Sequence, residues 1–330
     1  MKAAFIRATG PVENIVYGDL PAPRAEGSQV LVRVKAVSVN PVDTYIRSGL
    51  VSMGIPIPYI LGCDLAGVVE AIGPEVTRFK PGDRVWGSNQ GLLGRQGTFA
   101  EFAAVEEHWL YPLPHLITFE QGAAVALVGI TAHLGLVRDG RLQAGETVFV
   151  QGGAGGVGST VVQMAKAMGA RVIATAGSDA KVELCRKLGA DLALNYKTQD
   201  VEAVTRQFAP GGVHLWYETT RDPDFVKAIP LLAPRGRMIV MAGREARPVF
   251  PVGPFYLKGC SLHGFAMFNA TPEEQRRAAD DINRWLEEGK LRPRIDRVLP
   301  LAEAAAAQQL QEDNTLGKAG TLAGKIVLTV

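Results

Sequence analysis

A glycine-rich turn near the middle of the chain limits the possible folds more than any other part of the sequence. The apolar run TVFVQ at residues 147–151 precedes the turn, and the apolar stretch STVVQMAKAMGA at residues 159–170 follows it. The turn fits the pattern G-x-G-x-x-G and consists of Gly153, Ala154, Gly155, Gly156, Val157 and Gly158. A strand before this pattern and a helix after it are typical of a dinucleotide-binding unit, whereas the glycines alone would be a weak signal.

Each of the three glycines that the pattern requires has its own physical role. We expect Gly153 to allow a tight turn, Gly155 to let the backbone approach a pyrophosphate, and Gly158 to let helix and strand pack closely. The phosphates would then lie at the helix N-terminus, where N–H groups and the helix dipole favour anions. A glycine-rich turn without a ligand is the alternative, and the surrounding strand and helix favour the dinucleotide.

The end of the next strand bears on which dinucleotide binds. About 20 residues beyond the motif, where an acidic residue would hold the ribose of NAD, the chain reads TAGS at residues 175–178. This neutral strand end leaves space for a 2′-phosphate, to which Ser178, Lys181 and Tyr196 could supply hydroxyl groups and charge. Asp179 argues the other way, because a shift of two residues would let it bind a ribose. The sequence predicts NADPH and leaves NADH open.

The rest of the chain predicts two domains, which suits a length of 330 residues. Up to about residue 120, alternating runs such as residues 30–38 and turns such as residues 80–83 indicate mainly β structure. Short apolar strands then alternate with helical stretches, a rhythm that predicts a parallel sheet covered by helices on both faces. These strands are expected at residues 147–151, 171–176, 191–196, 213–218 and 237–243.

Composition excludes several classes of protein. The formal net charge of +2 provides no broad positive field for nucleic acid, so we expect a small-molecule partner. Three cysteines without paired spacing argue against disulfide bonds and predict a reducing, cytoplasmic location. The N-terminus lacks the apolar run of a signal peptide, and the uncharged stretches at 121–137 and 147–165 are interrupted by glycines. We interpret those stretches as buried elements rather than membrane spans.

Two further segments make the whole pattern more specific than the turn alone. They read NPVDTYIRSG at residues 40–49 and LGCDLAG at residues 61–67, and Gly324-Lys325 precedes a last apolar strand. Together with the glycine turn, these segments resemble the zinc-independent NADPH:quinone oxidoreductases, the zeta-crystallin-like branch of the medium-chain dehydrogenase/reductase superfamily. The resemblance extends over nearly the whole chain.

The resemblance implies an α/β architecture in which a Rossmann domain, a doubly wound parallel sheet, is inserted into a β-rich GroES-like domain. The implied limits are 1–121 for the first part of the GroES-like catalytic domain, 122–264 for the Rossmann NADPH-binding domain, and 265–330 for the return segment that completes the catalytic domain. The resemblance also implies a homodimer joined through the Rossmann sheets.

The same resemblance assigns cofactor contacts, because in the family the nicotinamide lies in the cleft between the two domains. The implied contacts are Asn40, Thr131 and Phe265 near the nicotinamide, and Ser178, Lys181 and Tyr196 at the 2′-phosphate. An arginine that some relatives add near the C-terminus has no clear match in this chain.

The resemblance also bears on metal binding. Zinc alcohol dehydrogenases of this superfamily have a cysteine at the position of Asn40 and a His-Glu pair at the positions of Cys63 and Asp64. A catalytic zinc ion needs about three protein ligands, and Asn40 is a poor one. Residues 80–110 contain no cysteine, so the structural zinc lobe of those enzymes has no counterpart here. We therefore predict no metal.

Without a Lewis acid, the natural hydride acceptors are quinones and activated enones, which delocalise the negative charge onto oxygen. That oxygen needs a hydrogen-bond or proton donor, and the candidate catalytic residues are Asn40, Tyr45 and Tyr59. Each tyrosine could equally be a packing aromatic residue.

The sequence therefore predicts an NADPH-dependent quinone oxidoreductase and leaves two other hypotheses open. An enone or enoyl reductase of the same superfamily would use the same cofactor site. A protein of another class, a crystallin-like or RNA-binding one, would need no turnover, although the chain lacks the cluster of basic residues that RNA binding requires.

Overall fold

The computed structural model describes residues 1–330, which form two compact units. The first unit consists of Met1–Leu127, Thr271–Glu287 and Pro293–Val330, and the second unit consists of Val128–Ala270 and Glu288–Arg292. The expected domain limits after residues 121 and 264 stay predictions, since a compact unit need not end where a family domain ends.

The chain forms sixteen strands and nine α-helices. The strands are β1 (Lys2–Ile6), β2 (Val16–Asp19), β3 (Gln29–Val39), β4 (Tyr59–Ile60), β5 (Leu65–Ile72), β6 (Arg84–Gly87), β7 (Phe102–Glu106), β8 (Leu110–Pro112), β9 (Thr147–Gln151), β10 (Arg171–Ala176), β11 (Leu192–Asn195), β12 (Val213–Glu218), β13 (Leu232–Val240), β14 (Ser261–Gly264), β15 (Ile295–Pro300) and β16 (Lys325–Thr329). The helices are α1 (Pro41–Ser48), α2 (Phe119–His133), α3 (Gly156–Ala167), α4 (Asp179–Lys187), α5 (Val201–Phe208), α6 (Phe225–Leu231), α7 (Val252–Leu257), α8 (Pro272–Glu287) and α9 (Ala304–Thr315).

The first unit is mainly β, as the alternating pattern predicted. Its larger sheet has the order β15-β16-β3-β5-β6-β8, with β7 also paired to β3, and a second sheet has the order β2-β1-β4. Strand β16, from the end of the chain, runs antiparallel to β3 and places Ile326 opposite Val39. This pairing brings Lys325 next to Asn40, the residue that follows β3.

The second unit contains the predicted parallel sheet, with the order β11-β10-β9-β12-β13-β14. Phe149 of β9 and Trp216 of β12 are neighbours across the sheet, and their rings stack with centroids 3.8 Å apart. The five expected strands are present, although the fifth begins at Leu232 rather than at residue 237. The sixth strand, β14, was not predicted.

The helix boundaries follow from local chemistry. Helix α8 begins after Thr271, whose Oγ1 accepts a hydrogen bond from the N–H of Glu274 while the Glu274 carboxylate accepts one from the N–H of Thr271. This reciprocal pair is a capping box, which fixes the start of the helix. Gly289, with φ of 67°, follows the end of the helix.

One helical stretch, Phe119–Asp139, is long and apolar enough to cross a membrane by length and composition alone. Most of it is buried inside the protein, which is typical of a core helix.

Candidate active site

The glycine-rich turn lies between β9 and α3 in the second unit and is tied to the end of β10. The N–H of Gly153 donates to the carbonyl of Thr175 at 2.8 Å, and the N–H of Gly152 donates to its Oγ1 at 3.2 Å. The left-handed residue is Gly152, with φ of 80°, whereas the sequence motif placed the tight turn at Gly153. The preceding glycine therefore makes the sharp bend.

The three glycines that the sequence pattern requires differ in the space around them. A Cβ on Gly158 would lie 2.1 Å from the carbonyl oxygen of Gly152, and one on Gly153 would lie 2.7 Å from Cβ of Ala174. A Cβ on Gly155 would meet nothing closer than 3.5 Å. Gly158 and Gly153 thus permit close packing of helix, turn and strand, while Gly155 faces open space on the exposed side of the turn.

Helix α3 begins directly at this open side. Gly155 is its N-cap, and no side chain caps the first N–H groups of the helix. The first turn of a helix carries N–H groups without intrahelical partners and the positive end of the dipole. The turn and the helix N-terminus together can accept a diphosphate.

The predicted 2′-phosphate contacts lie together at the ends of β10 and β11. Ser178 caps α4, since its Oγ accepts from the N–H of Lys181 at 3.4 Å. Tyr196 is 48% exposed, and its hydroxyl lies so close to Gly177 that a Cβ there would be 2.5 Å from the oxygen. The Tyr196 hydroxyl, from the residue after β11, and the Ser178 cap with the N–H of Lys181 thus lie beside the neutral strand end.

Asp179, the residue that argued for NADH, is engaged elsewhere. Its Oδ1 accepts a hydrogen bond from Nδ2 of Asn195, 2.8 Å away. This bond holds the carboxylate towards the end of β11.

Thr131 and Phe265 also lie in the second unit. Thr131 is 4% exposed, and its carbonyl accepts a hydrogen bond from the hydroxyl of Tyr217 at 2.7 Å. The guanidinium of Arg138 lies 5.2 Å from the centroid of the Phe265 ring. Gly135 makes room for Tyr217, because a Cβ there would lie 2.4 Å from its hydroxyl. Sequence reasoning missed Tyr217 and Arg138, which belong to no recognisable motif.

Asn40 lies in the first unit, where β3 ends and α1 begins. Its backbone N–H donates to Oδ2 of Asp43 at 2.7 Å, which fixes the start of the helix. Its side chain is fully buried: Nδ2 donates to Oδ2 of Asp64 at 2.7 Å, and Oδ1 accepts from Nζ of Lys325. We refer to Asn40, Asp43, Cys63, Asp64 and Lys325 as the polar cluster.

Asp64 is the most extensively bonded member of the polar cluster. Oδ2 accepts from the Ser38 hydroxyl at 2.7 Å as well as from Asn40, and Oδ1 accepts from the Ser88 hydroxyl at 2.7 Å and from the N–H of Leu127 at 3.1 Å. Burial raises the pKa of Asp64, while the charge of Lys325 and these hydrogen bonds lower it. The carboxylate is therefore stabilised by a built network rather than by water.

Burial has opposite effects on the other charged members of the polar cluster. It raises the pKa of Asp43 to about 7, helped by the negative charge of Asp64. It lowers the pKa of Lys325, and the charge of Asp64 opposes that shift. Asp43 is thus partly protonated near neutral pH, while the proximity of Asp64 and Lys325 favours the charged form of each.

The two candidate tyrosines differ in environment. Tyr59 is fully buried, its hydroxyl donates to the carbonyl of Gly91 at 2.7 Å, and burial raises its pKa. Tyr45 lies on α1 and is partly exposed. Of the two hydroxyl groups, only that of Tyr45 belongs to a side chain with access to solvent.

The polar cluster does not fit a catalytic zinc ion. The Asn40 oxygen that could act as a ligand is bonded to the Lys325 ammonium, and burial raises the pKa of the Cys63 thiol well above its usual range. Zinc binds thiolate rather than thiol, and a neighbouring cation opposes its binding. No three His, Cys, Asp or Glu side chains of the chain are arranged to hold a metal ion.

Comparison with known proteins agrees with this fold. Residues 26–115 match the alcohol dehydrogenase GroES-like domain, and residues 156–284 match the zinc-binding dehydrogenase family. The crystal structure of an NAD-dependent alcohol dehydrogenase is 33% identical, covers 100% of both chains and gives a TM-score of 0.90. The fold is therefore that of a medium-chain dehydrogenase/reductase, and the chain is an oxidoreductase.

More specific similarities lie within that superfamily. A quinone oxidoreductase from Sus scrofa is 34% identical over 320 residues, which is 97% of this chain and 94% of the relative. The crystal structure of Escherichia coli quinone oxidoreductase complexed with NADPH is 25% identical, covers 100% of both chains and gives a TM-score of 0.87. The chain belongs to the quinone oxidoreductase family of medium-chain dehydrogenases/reductases. This confirms the resemblance that the sequence motifs indicated.

Proposed function

We propose that the chain is an NADPH-dependent quinone oxidoreductase that transfers hydride without a metal ion. The observation that carries the proposal is the end of β10, where the Ser178 cap and the Tyr196 hydroxyl lie beside a neutral strand end and Lys181 belongs to the first turn of α4. A 2′-phosphate fits this arrangement because it needs hydroxyl groups and positive charge and is repelled by a carboxylate. The quinone oxidoreductases among the relatives support the acceptor.

The residues of the second unit have distinct tasks in this proposal. The turn at 152–158 and the N-terminus of α3 bind the pyrophosphate, and Gly155 lets it approach the backbone. Thr131 and Phe265 stay the predicted contacts of the nicotinamide, which supplies the hydride. A relative described as NAD-dependent keeps NADH as the competing cofactor, and the hydrogen bond between Asp179 and Asn195 argues against it.

Two-electron reduction of a quinone to a hydroquinone takes up one hydride from the nicotinamide and one proton, so that both quinone oxygens become hydroxyl groups. Among the predicted donors, the Tyr59 hydroxyl is bonded to Gly91, and the Asn40 amide is held by Asp64 and Lys325. Tyr45 is partly exposed on α1 and is our candidate proton donor, whereas Asn40, with its side chain fully buried, is the N-cap that fixes the start of the same helix.

A turnover assay tests the proposal and separates it from an enone reductase. NADPH oxidation is followed with a quinone and, separately, with an α,β-unsaturated ketone, for the wild type and for Tyr45→Phe and Tyr59→Phe. We expect turnover of the quinone to exceed that of the ketone, and Tyr45→Phe to lower kcat about 100-fold, the usual scale of general acid catalysis. Preference for the ketone would favour the reductase of enones. No turnover of either compound would contradict both.

We also propose that the chain forms a homodimer through the edge of its parallel sheet. Strand β14 is the last strand in the sheet order, so one of its edges is unpaired within the chain. Exposed apolar side chains accompany it, namely Leu262 on β14 and Tyr256 and Leu257 on the preceding α7. An unpaired edge beside an apolar patch favours association with a second copy. Light scattering after size exclusion tests this, and a monomeric mass at micromolar concentration would contradict it.

Location in the cytoplasm remains part of this proposal. Its support is that Cys63, Cys185 and Cys260 are free thiols, as a reducing compartment favours.

A further inference from the structure

Lys325 is a lysine whose side chain is almost completely buried. Its side chain is 6% exposed, and Nζ donates to the carbonyl of Val39 at 2.7 Å and to Oδ1 of Asn40. Nζ also lies 4.0 Å from Oδ2 of Asp64. A buried ammonium is costly unless it is paired and hydrogen-bonded, so a position like this requires a reason.

The backbone delivers Lys325 to this place. Strand β16 pairs with β3 next to Asn40, and the N–H of Lys325 donates to the carbonyl of Arg294 at 2.8 Å. Gly324, just before it, has φ of 121°, and a Cβ there would lie 2.5 Å from the Arg294 carbonyl oxygen. The entry into β16 is therefore built for a glycine followed by an inward-facing side chain.

The contacts of Lys325 determine which way round the Asn40 amide lies. An ammonium only donates, so it must face Oδ1, and a carboxylate only accepts, so Asp64 must face Nδ2. Each neighbour excludes the reversed amide, because reversal would place donor against donor and acceptor against acceptor. Asn40 is thereby held in one orientation from both ends.

We propose that Lys325 is a positioning residue for the reaction: its ammonium balances the buried charge of Asp64 and fixes the orientation of the Asn40 amide. The proposal rests on the proposed function, because Asn40 is the N-cap of α1, the helix that carries the candidate proton donor Tyr45. Asn40 has a position that substrate binding cannot rearrange, because both ends of its amide are bonded inside the protein.

Replacing Lys325 by Met and Asp64 by Asn separates charge balance from orientation. Lys325→Met leaves the Asp64 carboxylate buried without its cation, so we expect a large loss of stability to urea. Lys325→Met/Asp64→Asn removes both charges and regains most of that stability. In the double variant the new amide at position 64 offers Asn40 a donor as well as an acceptor, so the two contacts that exclude reversal are gone. Only the 3.4 Å contact of Nδ2 with the Ser38 carbonyl still favours the original orientation.

Steady-state kinetics then distinguish a positioning residue from a merely structural one. We expect kcat with a quinone to fall about 100-fold in both Lys325 variants, the scale of a misplaced contact, while KM for NADPH changes less than about threefold. Asn40→Ala should lower kcat similarly, and Asn40→Ala/Lys325→Met should lower it no further, since both changes remove one arrangement. Recovery of kcat along with stability in the double variant would overturn the proposal, as would multiplication of the Asn40 and Lys325 effects.

A spectroscopic measurement decides the question even if Lys325→Met does not fold or the wild type reduces no quinone. The side-chain amide signal of Asn40, assigned by its absence in Asn40→Ala, is compared by ¹⁵N NMR in the wild type and in Lys325→Met/Asp64→Asn. We expect a single sharp pair of amide protons in the wild type and a shifted or broadened pair in the double variant. Identical signals would overturn the positioning role. Absent quinone turnover in the wild type would contradict only the proposed function.

Discussion

The proposed cofactor site of the second unit, which we call the cradle, and the polar cluster of the first unit are built in opposite ways. The cradle is formed by residues within one continuous stretch, 151–196, and its open parts are backbone N–H groups and partly exposed hydroxyl groups. The polar cluster joins Asn40 to Lys325, 285 positions apart, and its members are buried. The cradle therefore depends on local backbone geometry, whereas the polar cluster depends on the correct pairing of distant strands.

This difference predicts that pH acts mainly on the polar cluster. Asp43 keeps its proton in the folded state up to a pKa of about 7, compared with an ordinary value of 3.8. The folded state binds more protons in that interval, so the stability contributed by Asp43 is complete below the lower value and is lost as pH rises through 7. The difference of roughly three units corresponds to at most about 4 kcal/mol.

Asp43→Asn should therefore flatten the dependence of the free energy of unfolding on pH between about 4.5 and about 7.5. Urea unfolding across that range measures it. Asp19→Asn is the control, because Asp19 is exposed and its hydrogen bond with Lys2 lowers its pKa. An unchanged slope in Asp43→Asn would show that the carboxyl group is not held neutral by burial.

The cradle should respond to added methyl groups according to their position. Gly158→Ala places a Cβ 2.1 Å from the Gly152 carbonyl oxygen, and we expect a loss of about 3 kcal/mol in the free energy of unfolding. Gly155→Ala meets nothing closer than 3.5 Å, so the protein should stay folded and bind NADPH more weakly. Thermal unfolding and NADPH titration measure the two effects. Equal destabilisation by both substitutions would mean that the two glycines do not have separate roles.

Cofactor choice should depend on charge at the start of α4. Lys181→Glu replaces the predicted phosphate contact by a repelling carboxylate, and NADPH affinity should fall about 10- to 100-fold while NADH affinity changes little. Lys187→Glu, at the exposed end of the same helix, makes the same change in net charge and should affect the two cofactors alike. Parallel losses for NADPH and NADH in Lys181→Glu would contradict a 2′-phosphate contact.

The smallest expected effects come from removing one tyrosine hydroxyl group in each unit. Tyr59→Phe removes a buried donor from the Gly91 carbonyl and should cost about 1 kcal/mol of stability without changing NADPH affinity. Tyr196→Phe removes an exposed hydroxyl, so stability should stay the same while NADPH affinity falls about fivefold. The reverse assignment of the two losses would contradict our division between a structural and a cofactor-binding hydroxyl.

The sequence could predict those elements whose defining pattern lies within a few neighbouring residues. The parallel strands and the glycine turn were recognised because each lies within a few residues of its defining pattern. Strand β14 was missed because its four residues alternate between half-buried and exposed, which is too short for a period. The sharp bend was placed at Gly153 instead of Gly152 because the motif counts glycines and carries no backbone angle.

The sequence could not predict contacts between residues that lie far apart along the chain. The family motifs drew attention to Asn40, Cys63 and Asp64, because zinc alcohol dehydrogenases have a cysteine and a His-Glu pair at the corresponding positions, but nothing local indicates that Lys325 bonds to Asn40. That contact exists because β16 pairs with β3, a pairing that a single sequence does not specify. The hydrogen bond of the Tyr59 hydroxyl to the Gly91 carbonyl joins residues 32 positions apart and has no local signal either.

The central claim is that this member of the family reduces quinones with NADPH and needs no metal. The most direct test measures quinone-dependent oxidation of NADPH and of NADH by protein treated with EDTA. We predict that chelation leaves kcat/KM unchanged and that kcat/KM is higher with NADPH than with NADH. Activity that returns only when zinc is added, or a preference for NADH, would contradict the account.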